Sequence, residues 1–415
     1  MLYTRRDVGR IALATGFASE FGPELMGAAK PNSKVKGVQI GVITYSYRSM
    51  TDQSAEATLK YIVDSGIDAT ELMGTVADDW ARKKGKWDSS PAAAAEAAAG
   101  GGAGGRGGRG AGFPGGQGGR GPAPSYAPVA GMKTGFGNGQ PAGQWNGQAC
   151  PAGRAGAAGG PGGPGGPGAP RAQAAGGARG TGGGAIPGAG GRGAQTPEQK
   201  AAADAERKWR LGLSMDIFKE LRKLYNDAGV SIFAVNAMRM DTDEDLDYTF
   251  TVAKTLGADM CTLELPAGPD AAATLKRLGD AALKHKMFTT YHTHQQGSMT
   301  VIDEALAVSK GNMSGVDLGH FMAATNPGGT PLDFLNKYHD RIKNVHLKDR
   351  TTVAHCALNL PWGYGETPIK EILQTISKNN WHFPATIELE YNVPEGSDAV
   401  KETAKCVDFC RKALA

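Results

Sequence analysis

The sequence has no uncharged apolar run of roughly 18 residues, so it contains no ordinary membrane-spanning helix. It also lacks a Cys-x-x-Cys pair, and its five cysteines are an odd number. Cys406 and Cys410 lie four residues apart on a predicted helix, which suits one helix face better than a disulfide. Because a chain of 415 residues can bury a core without covalent crosslinks, we expect a fold that does not depend on disulfides.

Acidic residues are absent from the 94-residue stretch between residues 100 and 193, which holds 39 of the 62 glycines, 11 of the 23 prolines and eight basic residues. The other 321 residues carry 37 basic and 41 acidic groups, so the net charge of +4 does not indicate nucleic-acid binding by the folded part. No Gly-X-Y repeat is sustained, which excludes a collagen-like rod. Because aliphatic residues are few here, we predict that residues 88–196 form a disordered insertion.

The N-terminus carries charged residues around Thr4-Arg5-Arg6, followed by a short and mildly apolar run. This order resembles a twin-arginine export signal, with small residues at Gly27 and Ala29 as the cleavage site. We therefore expect residues 1–29 to be an export signal and the mature protein to be periplasmic. Arg10 and Glu20 interrupt the apolar run, so a disordered or amphipathic N-terminal tail is the alternative.

Outside the insertion, apolar runs of strand length alternate with helical segments. The predicted strands cover residues 38–44, 68–73, 230–235, 260–265, 287–291, 314–318, 342–347 and 385–390. Eight parallel strands can close into a barrel without an exposed edge, and about 275 residues remain for it once the signal and insertion are removed. We predict one α/β domain, a (β/α)8 TIM barrel over residues 36–414, interrupted by the insertion. Residues 196–228 are predicted as one long helix, residues 243–256 and 369–378 as two further helices, and residues 74–87 as a loop.

The insertion comes after the second predicted strand, so it belongs to the loops that surround the catalytic face of such a barrel. It contains the tract Gly104-Gly-Arg-Gly-Gly-Arg-Gly110, which resembles RNA-binding RGG tracts. Aromatic residues that could stack on bases are sparse around the tract, so we expect no nucleic-acid partner. A lid and a solvated spacer both stay open as roles for the insertion.

Carboxylates and imidazoles stand at the ends of the predicted strands, where a barrel carries its active site. Strands four, six, seven and eight supply Glu264, Asp317, His346 and Glu388. These groups would repel one another without a cation, and they suit one divalent ion of the Mn²⁺, Mg²⁺, Co²⁺ or Zn²⁺ kind. The alternatives are a solvent-facing acid for Glu264, a helix cap for Asp317 and a core histidine for His346. Glu390 shares a strand face with Glu388, so either could be the ligand.

Five short motifs near these strand ends resemble one known family. They are Tyr291-His-Thr-His294, Asp317-Leu-Gly-His320, Asn344-Val-His-Leu-Lys-Asp-Arg350, Pro361-Trp-Gly-Tyr-Gly-Glu366 and Ile387-Glu-Leu-Glu-Tyr391. Together they resemble the sugar phosphate isomerase/epimerase family of the xylose isomerase-like TIM barrel superfamily. The resemblance covers residues 36–414 without the insertion, and it indicates little about the substrate.

The resemblance implies roles for the residues at matching positions. The divalent metal would be held by Glu264, Asp317, His346 and Glu388. The two glutamates would also act as acid and base, and His320 would bind substrate. Some epimerases place an arginine six residues after the metal histidine. Thr352 stands at that position in this chain, so the arginine's role is not carried over.

These residues predict an isomerase or epimerase that acts on a carbohydrate by proton abstraction and a metal-stabilised enediolate. Glu264 and Glu388 would remove and return the proton on opposite faces of the carbon. Substrate hydroxyls would be positioned by His294, His320, Lys348 and Glu390, and the apolar side of the pocket would be lined by Tyr45 and Trp362. No glycine-rich phosphate cradle stands out, which favours a non-phosphorylated keto sugar as substrate.

Several alternatives to this function stay open. Proton abstraction beside a glycosidic leaving group would make the protein a metal-dependent lyase or hydrolase of keto-glycosides. A non-catalytic sugar-binding barrel is less favoured. Phosphodiester cleavage, which also occurs on this fold, needs a basic binding face and is disfavoured by the charge of −4 outside the insertion. The sequence leaves the oligomeric state undecided, a homo-oligomer included.

Overall fold

A computed structural model describes residues 30–87, 143–145, 148–150, 196–236, 238–294 and 296–415 of the chain. The predicted export signal over residues 1–29 and most of the predicted disordered insertion lie outside the described residues. Among the described residues, no helix combines the length and the apolar character needed to cross a membrane.

Eight parallel strands form the centre of the protein and confirm the predicted (β/α)8 barrel. They are β1 (Val38–Ile43), β2 (Ala69–Leu72), β3 (Ser231–Asn236), β4 (Met260–Glu264), β5 (Phe288–His292), β6 (Asn312–Ser314), β7 (Val345–Leu347) and β8 (Ala385–Ile387). Their order is β7-β8-β1-β2-β3-β4-β5-β6. Parallel bridges from Ser314 to Ile342 and from Asp317 to His346 join β6 to β7, so the sheet closes on itself.

Helices surround the strands, and most of them bury an apolar face. They are α1 (Ala55–Asp64), α2 (Gly74–Lys84), α3 (Pro197–Leu211), α4 (Asp216–Asp227), α5 (Asp243–Leu256), α6 (Ala271–Lys284), α7 (Asp303–Val308), α8 (Leu318–Met322), α9 (Pro331–Tyr338), α10 (Ile369–Lys378) and α11 (Ala399–Leu414). Single 3-10 turns cover Thr44–Tyr47, His339–Arg341 and Val353–His355. Two-residue strands pair outside the barrel: Lys34–Val35 with the start of β1, Asp349–Arg350 with Asn359–Leu360, and Gln144–Trp145 with Gln148–Ala149.

Three local predictions were wrong. Residues 196–228 form two helices, α3 and α4, because the chain turns at Gly212, whose N–H bonds to the carbonyls of Lys208 and Trp209. Residues 74–84, predicted as a loop, form α2, which buries an apolar face that includes Val76 and Trp80. Strand β6 ends at residue 314 and not at 318, because the chain leaves the ladder and begins α8.

Part of the insertion is folded against the barrel. The two-stranded ladder at residues 144–149 is followed by Cys150, which forms a disulfide with Cys356 in the loop after β7. Trp145 is 1% exposed and packs with Leu358 and Leu360 in a small hydrophobic cluster separate from the main core. A purely solvated spacer is therefore wrong for this segment. Cys261, Cys406 and Cys410 are free thiols, as expected for the last two.

Candidate active site

Polar side chains converge where the barrel strands end, on the face that carries the loop after β7. This group comprises Glu71, Glu264, His292, His294, Asp317, His320, His346, Lys348, Glu388 and Glu390. The alternation of side chains along an extended chain explains the pairs: His292 and His294 project to one side, and so do Glu388 and Glu390. The ring centroids of the two histidines lie 4.8 Å apart.

Four of these side chains form a buried group suited to a metal ion. His292, Asp317, His346 and Glu388 each offer a ligand atom, and all four atoms lie within 4.8 Å of one another. Nδ1 of His292 has no hydrogen-bond partner in the part of the chain that the structure describes. Two imidazoles and two carboxylates in a buried pocket are a donor set that Mn²⁺, Co²⁺ or Zn²⁺ accepts, so the residues fit a divalent cation. Three of the four ligands predicted from the sequence are in this group.

Asp317 also caps a helix, which was the structural alternative for it. Its Oδ1 accepts the N–H of His320 at 2.6 Å at the start of α8. Its Oδ2 lies 3.0 Å from the ammonium of Lys348. Burial raises the pKa of Asp317, and the charge of Lys348 opposes that rise. The cap fixes one oxygen of the carboxylate and leaves the other to face the buried group.

Glu71 is a site residue to which the sequence reading gave no role. It is fully buried, and its Oε2 lies 2.8 Å from Nε2 of His346 and accepts the side-chain N–H of Asn344 at 2.7 Å. Nδ1 of His346 lies 2.8 Å from Glu388. Burial lowers the pKa of His346, but the two carboxylates outweigh it and raise the pKa to about 10. The sequence contains one feature that could have indicated this role. Glu71 is a carboxylate inside the four-residue strand β2, where every other residue is small or apolar.

Lys348 lies between the carboxylates of Asp317, after β6, and Glu388, after β8. Its Nζ lies 3.3 Å from Glu388 and 2.8 Å from Glu390, in addition to its contact with Asp317. The residue is 2% exposed. Burial lowers the pKa of Lys348, but the three carboxylates raise it further above its usual range. Burial raises the pKa of Glu388. The charge of Lys348 and, to a smaller extent, the hydrogen bond with His346 outweigh burial and hold that pKa well below its usual range.

Glu264 lies apart from the buried group and pairs with His294. Oε2 of Glu264 is 3.0 Å from Nδ1 of His294, and both side chains are partly exposed at 14% and 30%. Burial lowers the pKa of His294, but the hydrogen bond and charge of Glu264 raise it overall. The predicted ligand Glu264 therefore lies at the rim of the site, with its Oε1 buried and without a hydrogen-bond partner among the described residues, and His292 contributes the fourth atom of the buried group.

His320 connects the buried group to the loop after β7. Its Nε2 lies 3.1 Å from Nζ of Lys348, and its Nδ1 lies 2.5 Å from the guanidinium of Arg350. Burial, Lys348 and then Arg350 lower the pKa of His320 well below its usual value, so the ring is neutral. His292, His294 and His320 also form a second group of imidazoles whose ligand atoms lie within 4.8 Å of one another.

The two predicted pocket aromatics have different surroundings. Tyr45 follows β1 directly, and Arg48 lies over its ring at 4.4 Å from the centroid. Burial raises the pKa of Tyr45. The charge of Arg48 opposes this rise, and the charges of Glu390 and Glu388 add to it. Trp362 is 8% exposed and meets Phe409 edge-on at 5.7 Å, so it packs in the main core.

Solved structures similar to this chain include proteins described as xylose isomerase domain proteins and as a xylose isomerase-like TIM barrel. A sugar phosphate isomerase/epimerase from Parabacteroides distasonis shares 17% identity, covers 46% of this chain and 76% of its own, and has a TM-score of 0.37. A probable 3-DHS dehydratase from Bacillus anthracis shares 11% identity over 89% and 98% of the two chains, with a TM-score of 0.47. A xylose isomerase-like barrel protein from Mycobacterium smegmatis, solved in complex with magnesium, shares 18% identity over 49% and 79%, with a TM-score of 0.37. No protein-family model matches this sequence, and no curated protein matches it significantly.

Two of the five carboxylates in the site, Glu264 and Glu388, stand on opposite sides of the barrel and in different surroundings. Glu264 stands on β4 and Glu388 follows β8, and these strands are four positions apart in a ring of eight. A small molecule at the mouth would therefore lie between them, with one carboxylate on each side. The imidazole of His292, whose Nδ1 has no hydrogen-bond partner among the described residues, and the buried ammonium of Lys348 lie around the same space. Such an arrangement can remove a proton from carbon on one side and return one on the other.

Proposed function

We propose that this protein is a divalent-metal-dependent isomerase or epimerase that acts on a carbohydrate, with a non-phosphorylated keto sugar as its substrate. The observation that carries the proposal is the buried group of His292, Asp317, His346 and Glu388, with ligand atoms within 4.8 Å of one another beside the rim carboxylate Glu264. Those four side chains would hold the cation. When bound, a divalent cation supplies Lewis-acid polarisation of a carbonyl oxygen.

The protein's own residues would move the proton. Glu264 and Glu388 lie across the barrel mouth from each other, so one carboxylate can take a proton from a sugar carbon and the other can protonate the opposite face. His294 holds Glu264 in place through the 3.0 Å contact, and His346 does the same for Glu388 at 2.8 Å. Each carboxylate is therefore held in one orientation before substrate binds, which lowers the entropic cost of reaching a reactive geometry.

The cations near the site favour a sugar without phosphate. Lys348 is surrounded by three carboxylates and His320, and Arg350 contacts His320 and donates to the carbonyl of Ala357 at 2.7 Å. Recognition of a phosphate dianion requires cations or backbone N–H groups that face the ligand. Because these two side chains are already engaged by protein groups, they favour hydroxyl recognition over phosphate binding.

The proposal is tested with the variants Glu264→Gln and Glu388→Gln. Manganese-loaded proteins are incubated with candidate keto sugars in D₂O, and NMR follows exchange of carbon-bound hydrogen. We expect exchange with the unaltered protein, and at least about a thousand-fold slower exchange in both variants, because amides cannot accept the proton. Sugar binding should persist in both. The control is Glu304→Gln, an exposed carboxylate on α7.

Two results of this experiment would change the assignment. Full exchange activity in both Gln variants would remove Glu264 and Glu388 from the proton transfer. Cleavage of a glycosidic bond in a keto-glycoside, in place of simple exchange, would assign a lyase or hydrolase with the same carboxylates.

We also propose that residues 1–29 direct export of the protein to the periplasm. The twin-arginine pattern at Thr4-Arg5-Arg6 supports this proposal, and the disulfide between Cys150 and Cys356 supports an oxidising compartment. Cell fractionation of the full chain and of an Arg5→Lys/Arg6→Lys variant tests it. Export of the full chain and retention of the variant are expected, whereas an intracellular full chain with free Cys150 would contradict it.

A further inference from the structure

A lysine ammonium lies among the residues that would hold the metal. Nζ of Lys348 is 3.0 Å from Asp317 and 3.3 Å from Glu388, which are two of the four members of the buried metal-suited group. The third carboxylate that it contacts, Glu390 at 2.8 Å, is not a member of that group. A divalent cation and the ammonium would therefore meet at the same two carboxylates.

The position of Lys348 is fixed by its surroundings and not only by its charge. A methyl group at Gly319 would overlap the Lys348 stem and its backbone carbonyl, so the lysine packs directly on the backbone of α8. The side chain is 2% exposed, and Nε2 of His320 lies 3.1 Å from its Nζ. An ammonium that is buried and held on several sides cannot leave for solvent without unfolding part of the site.

Charge gives the ammonium a defined role in the metal-free protein. Asp317 and Glu388 are both buried, and two such carboxylates repel each other when nothing positive lies between them. Lys348 lies within 3.3 Å of both carboxylates, so it supplies positive charge there when no metal is bound. A divalent cation at the same carboxylates would be repelled by the ammonium at short distance, since like charges that close interact strongly in a buried site.

We propose that the ammonium of Lys348 competes with the divalent metal for the carboxylates of Asp317 and Glu388. When the metal binds, the ammonium keeps its contact with Glu390. This inference rests on the proposed metal-dependent function and adds to it a control on metal affinity. The protein would hold its metal more weakly than its ligand set alone allows, and the metal-free site would stay folded.

The test measures Mn²⁺ binding to chelator-stripped protein by isothermal titration calorimetry. The variant Lys348→Met keeps an unbranched stem and removes the charge, and Lys348→Gln keeps a polar end in case the first variant folds poorly. The matched control is Lys343→Met, a lysine paired with Asp259 at the opposite end of the barrel. We expect both Lys348 variants to bind Mn²⁺ at least about tenfold more tightly than the unaltered protein. The control should match the unaltered protein.

The outcomes separate this inference from the proposed function. Tighter binding in the Lys348 variants supports the inference, and equal or weaker binding overturns it while leaving metal dependence intact. If the Lys348 variants bind Mn²⁺ and the unaltered protein does not, the inference is supported. The same result would contradict the proposal that the unaltered protein is a metal-dependent enzyme. If no protein binds Mn²⁺, Co²⁺ or Zn²⁺, both ideas fail.

Thermal unfolding gives a second readout that needs no substrate. Without metal, Lys348→Met should melt at a lower temperature than the unaltered protein, because Asp317, Glu388 and Glu390 lose their shared cation. Mn²⁺ should then raise the melting temperature of the variant more than that of the unaltered protein. A metal-free variant that melts at the unaltered temperature, with an unaltered response to Mn²⁺, would refute the inference.

Discussion

Removal of the disulfide between Cys150 and Cys356 should destabilise the whole barrel, because the bond closes a very long loop. The two cysteines are 206 residues apart in sequence. The loop-entropy relation gives about 5 kcal/mol for a loop of this length, and residual structure in the unfolded chain lowers the effect. We therefore expect Cys150→Ser/Cys356→Ser to lower the free energy of unfolding by about 3–5 kcal/mol.

Urea-induced unfolding, followed by tryptophan fluorescence, measures this loss. Trp145 adds a local signal, because it is 1% exposed beside the disulfide and its ring lies 5.6 Å from His355. Release of the folded part of the insertion should expose Trp145 and shift its emission to longer wavelength before global unfolding.

The control is reduction of the unaltered protein, which should reproduce the double variant. The same reductant should leave the variant unchanged, since its remaining cysteines, Cys261, Cys406 and Cys410, are free thiols. A loss smaller than about 1 kcal/mol, with Trp145 still buried, would refute the reasoning, because a closed loop of this length must restrict the unfolded chain.

Three further substitutions test other contacts. Glu71→Gln should weaken Mn²⁺ binding by about 10- to 100-fold in calorimetry, because the carboxylate that orients His346 becomes a neutral amide. Burial raises the pKa of Asp78 from 3.8 to about 6, so the stability that its protonated form contributes is fully present below pH 3.8 and lost as the pH rises through 6. Relative to Asp78→Asn, the unaltered protein should lose roughly 2–3 kcal/mol of unfolding free energy across that window in urea titrations. Gly365→Ala should cost about 1–3 kcal/mol in urea unfolding, because the added methyl group would overlap the Asp349 carboxylate.

Each of these three has a result that contradicts it. Unaltered Mn²⁺ affinity in Glu71→Gln would show that the carboxylate does not support the metal site. If the unfolding free energies of the unaltered protein and of Asp78→Asn depend on pH in the same way, the pKa of Asp78 is not raised by burial. Gly365→Ala should be compared with Gly212→Ala, where an added methyl group makes only ordinary contacts. Equal stability of the two alanine variants would mean that the loop after β7 moves to accommodate the change.

Much of the fold could be predicted because local signals agree with tertiary packing. Helix α5 was predicted at its observed bounds, and in the structure Thr242 and Asp245 form a capping box at its start. Helix α10 was also predicted at its bounds, with buried Ile372 and Ile376 four residues apart. Strand β7 ends at residue 347 as predicted but begins at 345 and not at 342. Strand β8 ends at residue 387 and not at 390, because Glu388, Leu389 and Glu390 continue the alternating pattern after the ladder has ended.

The site was only partly predictable for a physical reason. The position of polar residues at the ends of predicted strands led to Asp317, His346 and Glu388, which the structure brings together. It does not show at what depth each side chain ends, so Glu264 at the rim and His292 in the buried group could not be distinguished. The position of the Lys348 ammonium between Asp317 and Glu388 depends on contacts from several strands, so the sequence pattern could not predict it. The disulfide joins positions 206 residues apart, a separation across which no local pattern operates.

Metal-dependent removal of a carbon-bound proton is the step that defines the proposed function. The most direct test compares the manganese-loaded and chelator-stripped forms of the unaltered protein in D₂O with a panel of non-phosphorylated keto sugars. NMR should show deuterium at the carbon next to the carbonyl of one sugar with the loaded protein, and none above the background with the stripped protein. Equal exchange by the two forms, or no exchange from any keto sugar by the loaded form, would contradict it.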